Sequence, residues 1–140
     1  MRSSIFLLSS LLFFACEDFG SAMSPEDVLG HWRVIAFDRH DNAAIFLSPS
    51  DSIFVVFELD GNLSGYSHGM CSNYFSGSYQ LQPLNGIQIG SVSSTKVLCP
   101  SSEYWQILDV LKNANRVERK DFLLLNADDL SIRLWLQPFE

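Results

Sequence analysis

Two dipeptides, Asp60-Gly61 and Asn85-Gly86, do most to limit what this chain can fold into. Asp-Gly and Asn-Gly favour the tight turns with positive φ that join neighbouring antiparallel strands. Each stands between runs that read as strands. Ile53 to Leu59 (IFVVFEL) is apolar on both faces at its start, the mark of a central strand covered on both sides. Leu63 to Ser67 returns from the first turn. Gly77 to Gln82 puts Tyr79 and Leu81 on one face and Gln80 and Gln82 on the other, and Ile87 to Val92 alternates in the same way. Trp32 to Phe37 is β-branched and aromatic, and Ala44 to Leu47 makes a short strand. Phe122 to Asn126 and Ser131 to Gln137 form a last hairpin across Ala127-Asp128-Asp129, with Ile132, Leu134 and Leu136 on one face.

One helix interrupts this pattern. Tyr104, Ile107, Leu108 and Leu111 recur at helical spacing. Pro100-Ser101-Ser102-Glu103 supplies a start, Lys112 suits the negative end of the dipole, and Trp105 lies beside the stripe, placed to cover a sheet edge. A shorter helical turn begins at Ser24, suited to the N-cap, and Pro25, and stops at Gly30. The expected fold is mainly β (α+β). It is a curved antiparallel sheet or incomplete barrel of about seven or eight strands, with one helix near 101–113 packed on its open side.

The N-terminus has a different character. Arg2 precedes the apolar run Ile5 to Ala15, and small Ala15 stands directly before Cys16. This is the form of a secretory signal, too short for a spanning helix, which needs about 20 apolar residues. Leu11-Leu12-Phe13-Phe14-Ala15-Cys16 resembles the lipobox of bacterial lipoproteins. In that group the Cys carries a diacylglycerol thioether and an amide-linked acyl chain. The resemblance implies lipidation of Cys16; the alternative is ordinary secretion with Cys16 passed over. The expected organisation is a signal peptide over 1–15, a tether over 16–23 and one domain over 24–140.

Charge narrows the partners. Sixteen acidic residues against 9 basic ones give a net charge of -7, with no Lys/Arg cluster. Phosphate neutralisation needs such a cluster, so nucleic acid is not an expected partner. Anionic headgroups offer no attraction either, and membrane attachment would rest on the acyl chains. Three Cys is an awkward odd number for an exported protein. If Cys16 is acylated, Cys71 and Cys99 remain as a pair. A bridge between them would close a loop of about 28 residues and stabilise the fold by ~3 kcal/mol. It requires Cα atoms within about 7 Å. The alternative is two buried free thiols acting as small hydrophobes.

The central residues carry a family resemblance. Ser64-Gly65-Tyr66-Ser67-His68-Gly69-Met70-Cys71-Ser72-Asn73-Tyr74-Phe75-Ser76-Gly77-Ser78-Tyr79 resembles the signature of the META domain family, in which a Ser-Gly pair, a Cys-Asn pair and a Phe-Ser-Gly-Ser-Tyr run follow one another. Ile89 to Pro100 is similar to a second family segment ending in Thr-Lys and Cys-Pro. Gly30-His31-Trp32 fits the family's opening. The likeness runs from about Val28 to Leu136, with one departure: Ser72 separates Cys71 from Asn73. It implies a cracked β-barrel with one helix, similar to the lipid-binding pilot proteins of secretion systems. Family members include a bacterial heat-inducible lipoprotein of the novobiocin-resistance type, and bacterial members are commonly exported or lipid-anchored. No catalytic residue is implied.

Physically, the motif residues Gly30, Trp32, Gly65, Asn73, Gly77, Tyr79, Thr95 and Pro100 read as structural. The glycines suit positive φ, bulges or close backbone approach. Asn73 suits a turn lock that bonds its own backbone and tolerates the left-handed region. Tyr79 and Phe75 read as core, and Thr95 as a hydrogen-bonding partner of a neighbouring backbone. His31, His40 and His68 lack metal-ligand spacing, and no nucleophile elbow or phosphate loop is present. Asp38 and Asp41 flank His40 in what reads as a solvated loop.

The expectation is a non-enzymatic exported lipoprotein without cofactor or metal. It would act as a monomeric, stress-associated interaction module at the bacterial cell envelope, bound to membrane through its lipid, with an envelope protein as a further partner; without the lipid it would be secreted or periplasmic. The alternative is a small lipocalin-like barrel holding a hydrophobic ligand or lipid, since Gly30-His31-Trp32 also resembles the lipocalin opening. That reading calls for an apolar cavity of about 300 Å³ or more between sheet and helix.

Overall fold

Alternation of side chains along each strand separates an inner from an outer face. A computed structural model of the chain describes residues 22–39, 42–69, 71–95 and 98–140. Cys16, the signal segment, and His40 and Asp41 lie outside the described residues. The elements in order are α1 (Pro25–Val28), β1 (Gly30–Arg39), β2 (Ile45–Phe46), β3 (Ser52–Phe57), β4 (Asn62–His68), β5 (Tyr74–Gln82), β6 (Gly86–Ser94), α2 (Ser102–Asn113), β7 (Arg116–Arg119), β8 (Leu123–Ala127) and β9 (Ile132–Pro138).

The sheet has 9 strands, each pairing antiparallel with its neighbours. It closes because β9 returns to β1, in register from Trp32 opposite Pro138 to Arg39 opposite Ile132. A register shift between Val34 and Ala36 bends the seam. The result is an 8-strand antiparallel barrel, with β2 as an extra strand beside the second half of β1. One joint is thin: β6 and β7 share the single register pair Gly86–Arg116. Helix α2 packs against β6, β8 and β9 beside this opening. Closing a sheet removes its exposed edges, and the split is covered instead of left open.

The inner face explains the fold's stability. Val34, Ile53, Val55, Leu123, Leu125, Leu134 and Leu136 are fully buried, as are Tyr104, Ile107, Leu108 and Leu111 of the helix. Each such side chain contributes about 1.5–3 kcal/mol by leaving water. Helix α2 starts where Ser101 Oγ accepts from the Tyr104 backbone N–H at 3.3 Å, and Ser101 Oγ in turn donates to Glu103 at 2.9 Å. In α1, Asp27 accepts from the Ser24 N–H at 2.8 Å and from its hydroxyl at 2.9 Å. These bonds hold the Asp27 carboxyl below its ordinary range.

Five details differ from the sequence reading. Strand β7 (RVER) was not expected, because Val117 is its one buried residue and charged residues surround it. Strand β3 is not covered on both faces. Ile53, Val55 and Phe57 point inward, while Phe54 points outward and is half-buried against Tyr66 and Phe139, each with ring centroids at 4.7 Å. Asp38 does not sit in a solvated loop. It lies on β1, 5% exposed, where it accepts from Arg133 Nε at 2.8 Å, Arg133 Nη2 at 3.0 Å and Trp135 Nε1 at 3.0 Å. Trp105 does not cover a sheet edge; its Nε1 donates to the Cys99 carbonyl at 3.2 Å and its ring meets Tyr104 edge-on, which braces the helix start. The second hairpin turn is displaced by one residue. Its central residues are Leu84 and Asn85, both with φ of 59°, and Gly86 already begins β6.

Leu84 therefore holds a left-handed conformation that costs an L-residue about 1–2 kcal/mol, with 88% of its surface exposed. Leu84→Asn should raise the urea unfolding midpoint, by an amount corresponding to roughly 0.5–1 kcal/mol. An unchanged or lowered midpoint would contradict the strained turn.

Candidate functional site

The two motif segments meet at one end of the barrel. Strand β4 ends at His68, and the chain turns back through Cys71-Ser72-Asn73 into β5. Ser67 faces inward at 5% exposure, and its Oγ donates to the Cys71 carbonyl at 2.7 Å and accepts from the Asn73 N–H at 3.2 Å. The Ser67 N–H donates to the Asn73 carbonyl at 2.9 Å. Asn73 is fully buried, and its Oδ1 accepts from Thr95 Oγ1 at 3.0 Å. Thr95 Oγ1 also accepts from the Tyr74 N–H at 3.0 Å, while the Thr95 N–H donates to the Tyr74 carbonyl at 2.9 Å. Asn73 is thus a hub joining the β4–β5 turn to the exit of β6. It does not adopt the left-handed conformation expected of a turn lock; Leu84, Asn85 and Ser131 are the non-glycine residues with positive φ among the described residues. The extra residue Ser72 is exposed and leaves this network intact.

A covalent tie runs parallel to the hydrogen bonds. Cys71 and Cys99 form a disulfide with Cα atoms 5.3 Å apart, within the range the chemistry requires. It joins the motif turn to the segment leading into α2. Pro100 is exposed and lies one residue before Ser101, the N-cap of that helix. Ser94 Oγ and the Tyr104 hydroxyl, 2.9 Å apart, form a third link between β6 and α2.

The remaining motif residues shape the wall. At Gly65 a Cβ would collide with the Phe75 ring and the Phe54 carbonyl, so the strand admits no side chain there. Gly77 sits at the register shift between Ser76 and Ser78. Tyr79 packs edge-on to Phe57 at 4.9 Å and donates its hydroxyl to the Glu58 carbonyl at 2.8 Å. Burial first, and the Asp60 carboxylate second, push the Tyr79 phenol above its ordinary pKa, which keeps it a donor. At the other end of the barrel, Gly30 has φ of 118° and turns the chain from α1 into β1. Trp32, 3% exposed, donates Nε1 to the Val28 carbonyl at 2.8 Å, and the Arg119 guanidinium lies 4.5 Å over its ring.

This constellation fixes shape. Among the described residues, no group of three His, Cys, Asp or Glu side chains is placed to hold a metal ion, and no helix is long and apolar enough to cross a membrane. Ser67 was not singled out in the sequence; an inward serine in a strand gives no signal until its partners are known. The best-formed clefts among the described residues open at the surface. One of about 290 Å³ lies between the end of β1 and α2 and mixes Phe37 and Ile45 with Asp38, Asn42 and Gln106. A wholly apolar one of about 240 Å³ lies outside the barrel over Ile35, between Phe46 and Trp135. Neither is the enclosed apolar chamber that a lipocalin-like ligand site calls for.

The model of the META domain family matches residues 26–136. Among curated proteins none matches. A protein of the DUF4847 family from Bacteroides vulgatus has a similar crystal structure, with a TM-score of 0.55 and 17% identity over 79% of this chain and 92% of that one. The solution structure of a protein from Burkholderia xenovorans is similar with a TM-score of 0.62, at 17% identity over 81% of this chain and 84% of that one. At such identities the likeness is one of fold.

Removing the Asn73 side chain leaves the Thr95 hydroxyl without its buried acceptor. Asn73→Ala should lower stability by about 1–3 kcal/mol in denaturant unfolding. Cys71→Ala with Cys99→Ala should lower it by about 2–4 kcal/mol, and reductant should reproduce that loss in the parent protein and not in the double variant. Equal unfolding midpoints with and without reductant would speak against the crosslink.

Proposed function

Because the chain belongs to the META domain family, we propose that it is a non-enzymatic, exported interaction module held at a bacterial envelope membrane by lipid on Cys16. The observation that carries this reading is the Cys71–Cys99 crosslink. Disulfides persist in oxidising compartments outside the cytoplasm, and pairing these two leaves Cys16 as the odd thiol, directly behind a signal-like segment. Two or more acyl chains give stable anchoring, which an acidic domain needs in the absence of headgroup attraction. Function then rests on a rigid surface presented near a membrane, with the motif residues spent on internal bonds.

The second reading, a barrel enclosing an apolar molecule, finds less support. The inner face carries one cluster of buried apolar side chains from the barrel and α2, and the wholly apolar cleft over Ile35 stands on the outside.

Fractionation of cells expressing the whole chain, with mass spectrometry of the membrane-extracted product, tests the anchor. The expected product begins at Cys16 and carries diacylglycerol and acyl mass. Cys16→Ala should move the protein out of the membrane fraction while leaving the domain folded. A membrane fraction whose product bears an unmodified N-terminus would overturn the proposal.

A further inference from the structure

The four consecutive strands β3 to β6 contain no Asp, Glu, Lys or Arg, in a chain whose net charge is -7. Their outer face is open at Tyr66, 37% exposed, and Tyr74, 69% exposed, while Phe54 is half-buried. Register fixes a row across it, with Arg33 opposite Phe54, Phe54 opposite Tyr66 and Tyr66 opposite Tyr74. The Phe54 and Tyr66 rings stack at 4.7 Å with 23° between their planes, Phe139 joins Phe54 at 4.7 Å, and Tyr74 follows Tyr66 at 6.4 Å. Tyr74 is also one wall of a cleft of about 300 Å³ lined by Ser76, Ser93, Ser94 and Thr95. A second cleft on β5 and β6, of about 380 Å³, presents Ser78, Gln80 and Gln88, with Asp60 at its rim. At the far end of the row, Arg33 Nε is buried and has no acceptor among the described residues.

We propose that this wall binds a saccharide chain, its sugar rings against the exposed Tyr66 and Tyr74 and its hydroxyls in the two clefts. The argument is one of chemical matching. The Ser76, Ser78, Gln80 and Gln88 side chains both donate and accept, as sugar hydroxyls do, while Ser94 and Thr95 are engaged with Tyr104 and Asn73. Aromatic faces carry partial negative charge and attract the C–H groups on the flat side of a sugar ring. A nucleic acid requires cations that these strands lack. A lipid chain would cover the Ser and Gln groups without bonding them, at a cost in free energy. Clefts of this size fall at the lower end of small-ligand sites and suit one sugar unit each. This inference does not depend on the lipid anchor.

The test is an amide NMR titration of the folded protein with four probes: chitohexaose, cellohexaose, mannohexaose and a hexameric oligogalacturonate. At least one should shift resonances of β4, β5 and β6 at millimolar concentration or below. Tyr74→Ala and Tyr66→Ala should each weaken that binding about tenfold, the scale of one lost ring contact. Leu130→Ala, at an exposed site between β8 and β9, should leave it unchanged. The proposal is overturned if none of the four shifts these strands, if shifts map to the groove at Phe46 and Trp135, or if affinity survives loss of both tyrosines.

Discussion

Hydrogen bonding between the first long strand and the last determines everything else in this molecule. Residues 32–39 of β1 pair with residues 132–138 of β9, so the two ends of the domain form one seam. With that seam made, the inner faces of eight strands converge on one apolar interior, and β2 remains as a short addition to β1. The barrel is not equally strong all the way round. Between β6 and β7 a single register pair holds the ring, and the apolar stripe of α2 supplies there the burial that strand pairing does not. The helix is therefore part of the wall. Its caps, its disulfide-linked leader and its Tyr104–Ser94 contact all fix its start beside β6.

The outer surface divides into two kinds of wall. On β1 and β7 to β9, three arginines are paired with a carboxylate or set over an aromatic ring. Arg133 meets Asp38 at 2.8 Å, Arg116 meets Asp128 at 3.1 Å, and Arg119 covers Trp32. The Asp38 pair is the strongest of these, because its carboxylate is buried and also accepts from Trp135. The Arg116 pair is exposed at both ends and contributes little. On β3 to β6 charge is absent, and aromatic, serine and glutamine side chains take its place. The same fold thus carries a charged side, where ion pairs join the strands, and an uncharged side.

The fold was largely legible because its signals are local. Alternation in β5, β6 and β9, the Asp60-Gly61 turn and the stripe of α2 each act within a few residues, and the structure bears them out. Strand β7 was not legible, since a single inward Val117 makes no period. The burial of Asp38 was hidden for the opposite reason: its partner lies 95 residues away, and no local pattern announces an ion pair across a barrel seam. The motif was legible as a set of special residues. The role of Asn73 was not, because the left-handed turn suggested by its residue type competes with a buried bond to Thr95, 22 residues on. Burial decided between them. The displaced turn at Leu84 shows the same override, with strand register outranking the preference of Asn-Gly.

Ser67, Asn73 and Thr95 bring the two cysteine-bearing segments together through bonds that owe nothing to sulfur. The crosslink therefore acts as a latch on a turn that hydrogen bonds already hold against the exit of β6.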